Sequence, residues 1–179
     1  MILCQHFASL AGSRSTRPRC ERGGSGDGSA ARRKLLPGIA YLEQSSLTPD
    51  IRLVGTSLED YTDDEFRTLA REAVDSFGNR PLTDEQWSEF AAKVTYVPQG
   101  EGPEALAAAV ARGERELGDG VQRLHYLSVP PKAAEAVITM LEEADLVERS
   151  RGVMEKPFGT DLDSAVRLNA FVHETFDES

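Results

Sequence analysis

Val153-Met154-Glu155-Lys156-Pro157-Phe158-Gly159 reads as the end of a buried strand that breaks into a tight, proline-fixed turn carrying one lysine. An apolar pair leads in, and proline and glycine stop the strand. In an α/β sheet, ligands bind at the carboxyl ends of such strands. A lysine there is a compact cation with three donors, able to hold a hydroxyl or a phosphate. An exposed lysine at a strand end is the plainer alternative, so the weight rests on what surrounds it.

Working outward, strands and helices alternate from residue 51 to the end. Ile51-Arg52-Leu53-Val54-Gly55-Thr56 is a short strand ending in glycine. Thr62-Asp63-Asp64-Glu65 is a capping box opening a helix to about residue 76, and Thr83-Asp84-Glu85-Gln86 opens another that holds Trp87 and Phe90. Val94 to Pro98 is a strand, Pro103 to Glu116 an alanine-rich helix, and Arg123 to Val129 a strand stopped by Pro130-Pro131. Lys132 to Ala144 is a helix and Arg151 to Glu155 a strand. Asp161 to Phe176 is the last helix, with an apolar face of Leu162, Ala165, Val166, Leu168, Phe171 and Val172. Upstream, residues 34–44 have helical spacing at Leu35, Leu36, Ile39 and Leu42, with Pro37 suited to the first turn. This order predicts an α/β fold: a Rossmann-like, mainly parallel sheet with helices on both faces.

The chain has 179 residues, 40% hydrophobic and 28% charged, the proportions of one ordinary globular domain. No apolar run reaches the roughly 20 residues a membrane helix needs, and Met1 to Gly12 lacks the basic start of a signal peptide. Cys4 and Cys20 make no disulfide framework, so a cytoplasmic location is expected. His6, His125 and His173 are scattered, without metal-ligand spacing. Net charge is −10, unevenly spread: residues 1–34 hold seven basic and two acidic residues, the remainder 13 and 28. The acidic body argues against nucleic acid as a partner. Residues 1–30, rich in Gly, Ser, Arg and Pro, are expected to be a poorly ordered basic segment, and 31–179 a partial nucleotide-binding domain.

Three landmarks occur in order: Lys34-Leu35-Leu36-Pro37; Tyr126-Leu127-Ser128-Val129-Pro130-Pro131; and Glu155-Lys156-Pro157-Phe158-Gly159-Thr160-Asp161-Leu162 followed by Ser164-Ala165-Val166-Arg167-Leu168-Asn169. Together they resemble the nucleotide-binding domain of glucose-6-phosphate dehydrogenase, from about Lys34 to the last residue. The resemblance implies oxidation of glucose 6-phosphate at C1 with NADP as coenzyme, in the pentose phosphate route. It implies that Lys156 contacts both sugar phosphate and coenzyme. It also implies that Pro157 is a hinge between domains and that Tyr126 and Pro130 lie in the pocket against the coenzyme. Gly23, Ser25, Gly26 and Asp27 look like the family's glycine-rich phosphate-binding turn, which works by letting backbone N–H groups approach a pyrophosphate.

Three departures accompany the likeness. The glycines follow Thr16-Arg17-Pro18-Arg19-Cys20-Glu21-Arg22, which cannot be a buried strand, so the first strand is expected to be missing or degenerate. The sheet would then carry an open central edge, an aggregation hazard; Ile2-Leu3-Cys4 is an alternative source of a strand that the sequence leaves undecided. Leu58 stands where the family commonly has the arginine for the 2′-phosphate of NADP, and Glu59 and Asp60 repel a phosphate, so NAD is a second possibility. The family's Ile-Asp-His-Tyr motif, whose histidine is the base, is absent, as are the substrate domain and the dimerisation surface it carries. His125 reads as a core histidine and His173 as exposed, and neither is assigned as the base. The reading is a glucose-6-phosphate dehydrogenase-like fragment without turnover of its own. A non-catalytic module that binds coenzyme or a partner, or another sugar oxidoreductase with Glu-Lys-Pro, are the alternatives.

Overall fold

A computed structural model of the chain describes residues 2–6, through their backbone, and residues 31–45, 49–156, 159 and 161–176. Five strands form one sheet: β1 (Ile2–His6), β2 (Ile51–Gly55), β3 (Val94–Tyr96), β4 (Val121–Leu127) and β5 (Ser150–Met154). Their order is β3-β2-β1-β4-β5. β2 pairs with β3, and β4 with β5, in parallel. β1 is antiparallel to both β2 and β4, with Ile2 opposite Val54 and His125 and Gln5 opposite Ile51 and Gln122.

The sheet is therefore mainly parallel, four strands against one, as the alternation predicts. The open central edge expected from the sequence is corrected: Ile2–His6 fills the slot between β2 and β4, in reverse. Without it those two strands share no ladder. Strand pairing satisfies the backbone groups of both neighbours whichever way the filler runs, and a stretch opening Ile-Leu-Cys suits a central position.

Helices cover both faces. A π-helical turn, Ala31–Leu35, leads into α1 (Leu36–Glu43), with Pro37 in the first turn, where a missing N–H costs nothing. α2 (Asp63–Phe77) and α3 (Asp84–Ala91) start at the expected capping boxes, Thr62 with Glu65 and Thr83 with Gln86. These three pack one face through Leu36, Ile39, Ala73, Val74 and Phe90 against Ile51, Leu53 and Val94. On the other face α4 (Gly102–Leu117) and α5 (Pro131–Glu143) bury Leu106, Val110, Ile138 and Leu141 over Val54 and Leu127. Leu53 and Val54 thus serve opposite faces, as the two-residue period of a strand requires.

α6 (Leu162–Thr175) is capped by Asp161 and Ser164 and lies along α5. It buries Leu168 with Phe171 and Val172 beside it. Leu162 and Val166, expected on the apolar face, are exposed, as is Leu42 of α1. An α6 packed along one side only has room for a narrow buried stripe, and residues off that stripe face outward.

The outer strand β3 does not present a free edge. Asp63 Oδ1 accepts from Tyr96 N at 2.5 Å, and Arg67 Nη2 donates to Val94 O at 2.9 Å. Side chains from the first turns of α2 take the backbone groups that another strand would otherwise seek. Among the described residues no helix is long and apolar enough to cross a membrane, and no cluster of His, Cys, Asp and Glu has the form of a metal site.

Candidate functional site

The carboxyl ends of β2, β4 and β5 lie along one rim of the sheet. Parallel register sets Leu127 beside Met154, so the residues just beyond, Ser128 and Glu155, leave the sheet together. The Tyr126 phenol donates to Glu155 Oε1 at 2.5 Å, and Ser128 Oγ donates to Oε2 at 3.4 Å. Burial, and then the Glu155 carboxylate, push the Tyr126 phenol well above its ordinary range, so it stays a donor at every working pH. Lys156 follows directly and is exposed. Its neighbour Glu155 is held mainly by Tyr126, with Ser128 a longer second contact.

Gly159 continues this rim. A Cβ there would lie 2.6 Å from Ala165 N and 2.7 Å from Ser164 Oγ, so only glycine lets the turn approach the start of α6 this closely. Beside it a cleft of about 200 Å³ is lined by Pro131, Lys132, Glu135, Gly159, Ser164 and Arg167, among others. Pro130 is the exposed residue that caps α5 at its amino end. The sequence therefore brings Tyr126, Pro130 and Lys156 to one rim. Pro157, the expected hinge, and Gly23, Ser25, Gly26 and Asp27, the expected phosphate turn, lie outside the described residues.

At the end of β2 a second polar knot has formed. Tyr96 Oη lies 2.6 Å from both Ser57 Oγ and the Glu59 carbonyl oxygen, and Ser57 Oγ also donates to the Glu59 carboxylate. Tyr96 is wedged by Phe66, stacked at 4.8 Å, and by Tyr61 at 5.8 Å. The Ser57 hydroxyl and the loop backbone hold the Glu59 carboxyl below the usual range, so the end of β2 is negatively charged. Leu58 is 85% exposed. The Thr56 hydroxyl is buried with no hydrogen-bond partner among the described residues.

Neither histidine assigned to the α/β body is a base beside this rim. His125 is fully buried in β4, with Nε2 2.8 Å from Leu146 O. Burial lowers its pKa to about 4, only partly offset by that carbonyl. His173 is exposed in the last turn of α6. The sequence reading found Lys156 and Tyr126 but not Ser128, Glu155 or the Ser57–Glu59–Tyr96 knot as working groups. The signal was available: each set sits at, or within four residues of, the ends of adjacent parallel strands.

A dinucleotide fits this rim in part. The buried, unpartnered Thr56 hydroxyl is a polar atom awaiting a ligand or water. α1 keeps its usual orientation. Its last residue, Glu43, pairs with Lys93, which also holds Asp50 at 2.7 Å, and both of those precede strands. The end of α1 therefore lies at the end of the sheet opposite the ligand rim. β1 does not fit in the same way. Its carboxyl end, His6, pairs with Val121 at the far end of the sheet. Sixteen residues separate His6 from Gly23. That length is ample to recross a five-residue strand, which spans about 17 Å.

Comparison with known proteins agrees with this architecture. The family model for the glucose-6-phosphate dehydrogenase NAD-binding domain matches residues 23–179, and so includes the glycine-rich run. A glucose-6-phosphate 1-dehydrogenase 2 of Mycobacterium tuberculosis is 31% identical over 161 residues, covering 84% of this chain and 31% of that protein. The crystal structure of the glucose-6-phosphate 1-dehydrogenase of Mycobacterium avium superposes with a TM-score of 0.66 at 28% identity, over 83% of this chain and 31% of that one. A glucose-6-phosphate dehydrogenase solved in complex with glucose 6-phosphate superposes equally, at 26% identity, over 83% and 32%. The chain spans about a third of the length of these relatives, the third that carries the coenzyme domain. With the family model matching residues 23–179, most of its length, the chain belongs to the glucose-6-phosphate dehydrogenase family.

Proposed function

We propose that this chain is the coenzyme-binding part of an enzyme that oxidises glucose 6-phosphate, and that Lys156 holds the sugar against the nicotinamide. The observation that carries this reading is the fixed Glu155, bonded by Tyr126 and Ser128 immediately before Lys156. A lysine that directly follows an anchored residue is placed at the strand end, where its ammonium can donate to sugar oxygens. When bound, the dinucleotide accepts the hydride that leaves C1. Tyr126 and Pro130 border the nicotinamide side, Pro157 joins this rim to whatever carries the sugar's other contacts, and Gly23, Ser25, Gly26 and Asp27 cradle the diphosphate ahead of α1.

Removing the C1 hydroxyl proton needs a base within hydrogen-bond reach. His125 is buried on Leu146 and His173 is remote on α6, so the described residues bind and orient but supply no base. A binding role without turnover is therefore the second reading, favoured by those two placements.

Two measurements test both. The purified chain, given glucose 6-phosphate with NADP or NAD, is expected to produce no NAD(P)H. Calorimetric titration is expected to detect coenzyme binding. Turnover by the 179 residues would overturn the assignment of the histidines, and absence of any coenzyme binding at millimolar concentration would overturn the coenzyme role.

A further inference from the structure

We propose that this chain selects NAD over NADP, and that Glu59 is the residue that rejects the 2′-phosphate. The inference rests on the coenzyme reading above and deepens it. In a doubly wound sheet the loop after the second strand meets the adenosine ribose. An acid there accepts from the ribose hydroxyls of NAD, whereas a nearby arginine pairs with the extra phosphate of NADP.

Three features of the loop after β2 point the same way. The first is charge. Residues 56–65 hold five acids, Glu59, Asp60, Asp63, Asp64 and Glu65, and no lysine or arginine. The nearest cation on α2, Arg67, is fully engaged: it donates to Val94 O and Ala91 O and pairs with Asp64 at 3.0 Å. Arg52 of β2 is likewise taken by Glu116 at 2.7 Å and Asp50 at 3.2 Å. Neither of these two arginines is free to meet a dianion at this corner.

The second is which acids remain available. Asp63 accepts from the Tyr96 backbone, and Glu65 accepts from Thr62 in the capping box. Glu59 has its backbone carbonyl pinned by Tyr96, and one carboxylate oxygen receives Ser57. That leaves a fixed, ionised carboxylate with a further oxygen to accept from a ribose hydroxyl.

The third is the supply of donors. A phosphate only accepts, so it needs donors. Ser57 and Tyr96 have one hydroxyl proton each, and three contacts inside the knot already share those two protons. Thr56 keeps a hydroxyl, but it is a neutral group and buried. Leu58, exposed at the corner, offers none. The loop is built to receive hydroxyls and turn phosphate away.

Calorimetric titration of the full chain with NAD and with NADP, at low and at physiological ionic strength, tests this. NAD is expected to bind about tenfold more tightly than NADP or better, with the gap narrowing as salt screens the carboxylates. Glu59→Gln with Asp60→Asn should shrink that ratio severalfold while the circular dichroism spectrum is unchanged. Leu58→Arg on that background should carry the preference toward NADP. Equal or tighter NADP binding by the natural chain, or a ratio that ignores the double neutralisation, overturns the proposal. Failure of both coenzymes to bind is a different result: it removes the coenzyme reading itself, and this inference with it.

Discussion

The Tyr126 phenol and the Glu155 carboxylate meet at 2.5 Å across the ends of two adjacent parallel strands, one residue before Lys156. Tyr126 is the sixth residue of β4, and Glu155 is the first beyond β5. The pair ties the two strand ends to each other where the sheet stops doing so.

A hydrogen bond to a charged acceptor at a partly exposed site contributes about 1.5 kcal/mol. Tyr126→Phe and Glu155→Gln should therefore each lower stability, with a coupling energy of about 1 kcal/mol in a double-mutant cycle measured by urea unfolding. Additive effects of the two substitutions would mean the contact is incidental, and Lys156 would no longer follow an anchored residue.

His125 gives the fold an acid sensitivity that can be assigned to one ring. Its folded pKa is about 4, depressed below the ordinary 6.5 by burial. The unfolded chain therefore takes up a proton near pH 6.5, while the native state refuses it until about pH 4. Stability is unaffected above pH 7 and falls as pH drops through that window, by up to about 3 kcal/mol. Denaturant melts of the natural chain and of His125→Leu, compared from pH 7.5 to 4.5, isolate this contribution from the carboxylates. The two curves should converge in slope above pH 7 and diverge below 6.5; parallel curves throughout would refute it.

The β3 edge is protected by two side chains rather than by another strand. Asp63→Ala frees Tyr96 N and Arg67→Ala frees Val94 O, each leaving a backbone group unpaired at the sheet margin. Each substitution should cost about 1 kcal/mol, and the double variant should associate with rising concentration in light scattering, because an open edge recruits strands. A double variant that stays monomeric at high concentration would show that the short length of β3 is protection enough.

Much of this fold was legible because its signals are local. Thr62 with Glu65 and Thr83 with Gln86 announced α2 and α3 through side-chain-to-backbone bonds three residues apart. Pro130-Pro131 marked the stop of β4 and the start of α5. What stayed hidden was long-range. Leu162 and Val166 read as core by periodicity, yet α6 buries only a narrow stripe against α5. Glu155 read as part of a motif, and its partners Tyr126 and Ser128 emerge only once β4 and β5 are in register. The source and direction of the central strand were hidden most deeply: five residues ahead of a long basic stretch fill a slot whose ladders can be satisfied either way.

That direction can be tested covalently. In the antiparallel register Ile2 lies opposite His125 and His6 opposite Val121, with Cys4 in the middle opposite Arg123. Directly opposed residues have Cα atoms about 4.5–5.5 Å apart, within disulfide range. Cys4 faces Arg123 whichever way the five-residue strand runs in this slot, so the end residue Ile2 is the one that reports direction. In a background of Cys4→Ser and Cys20→Ser, Ile2→Cys combined with His125→Cys should form an intramolecular disulfide under mild oxidation, seen as a mobility shift reversed by reductant. Ile2→Cys combined with Val121→Cys, at the other end of that ladder, should crosslink little. Ready crosslinking at position 125 and little at 121 fixes β1 as reversed. The opposite pattern would restore the usual strand direction and return the turn after β1 to the ligand rim.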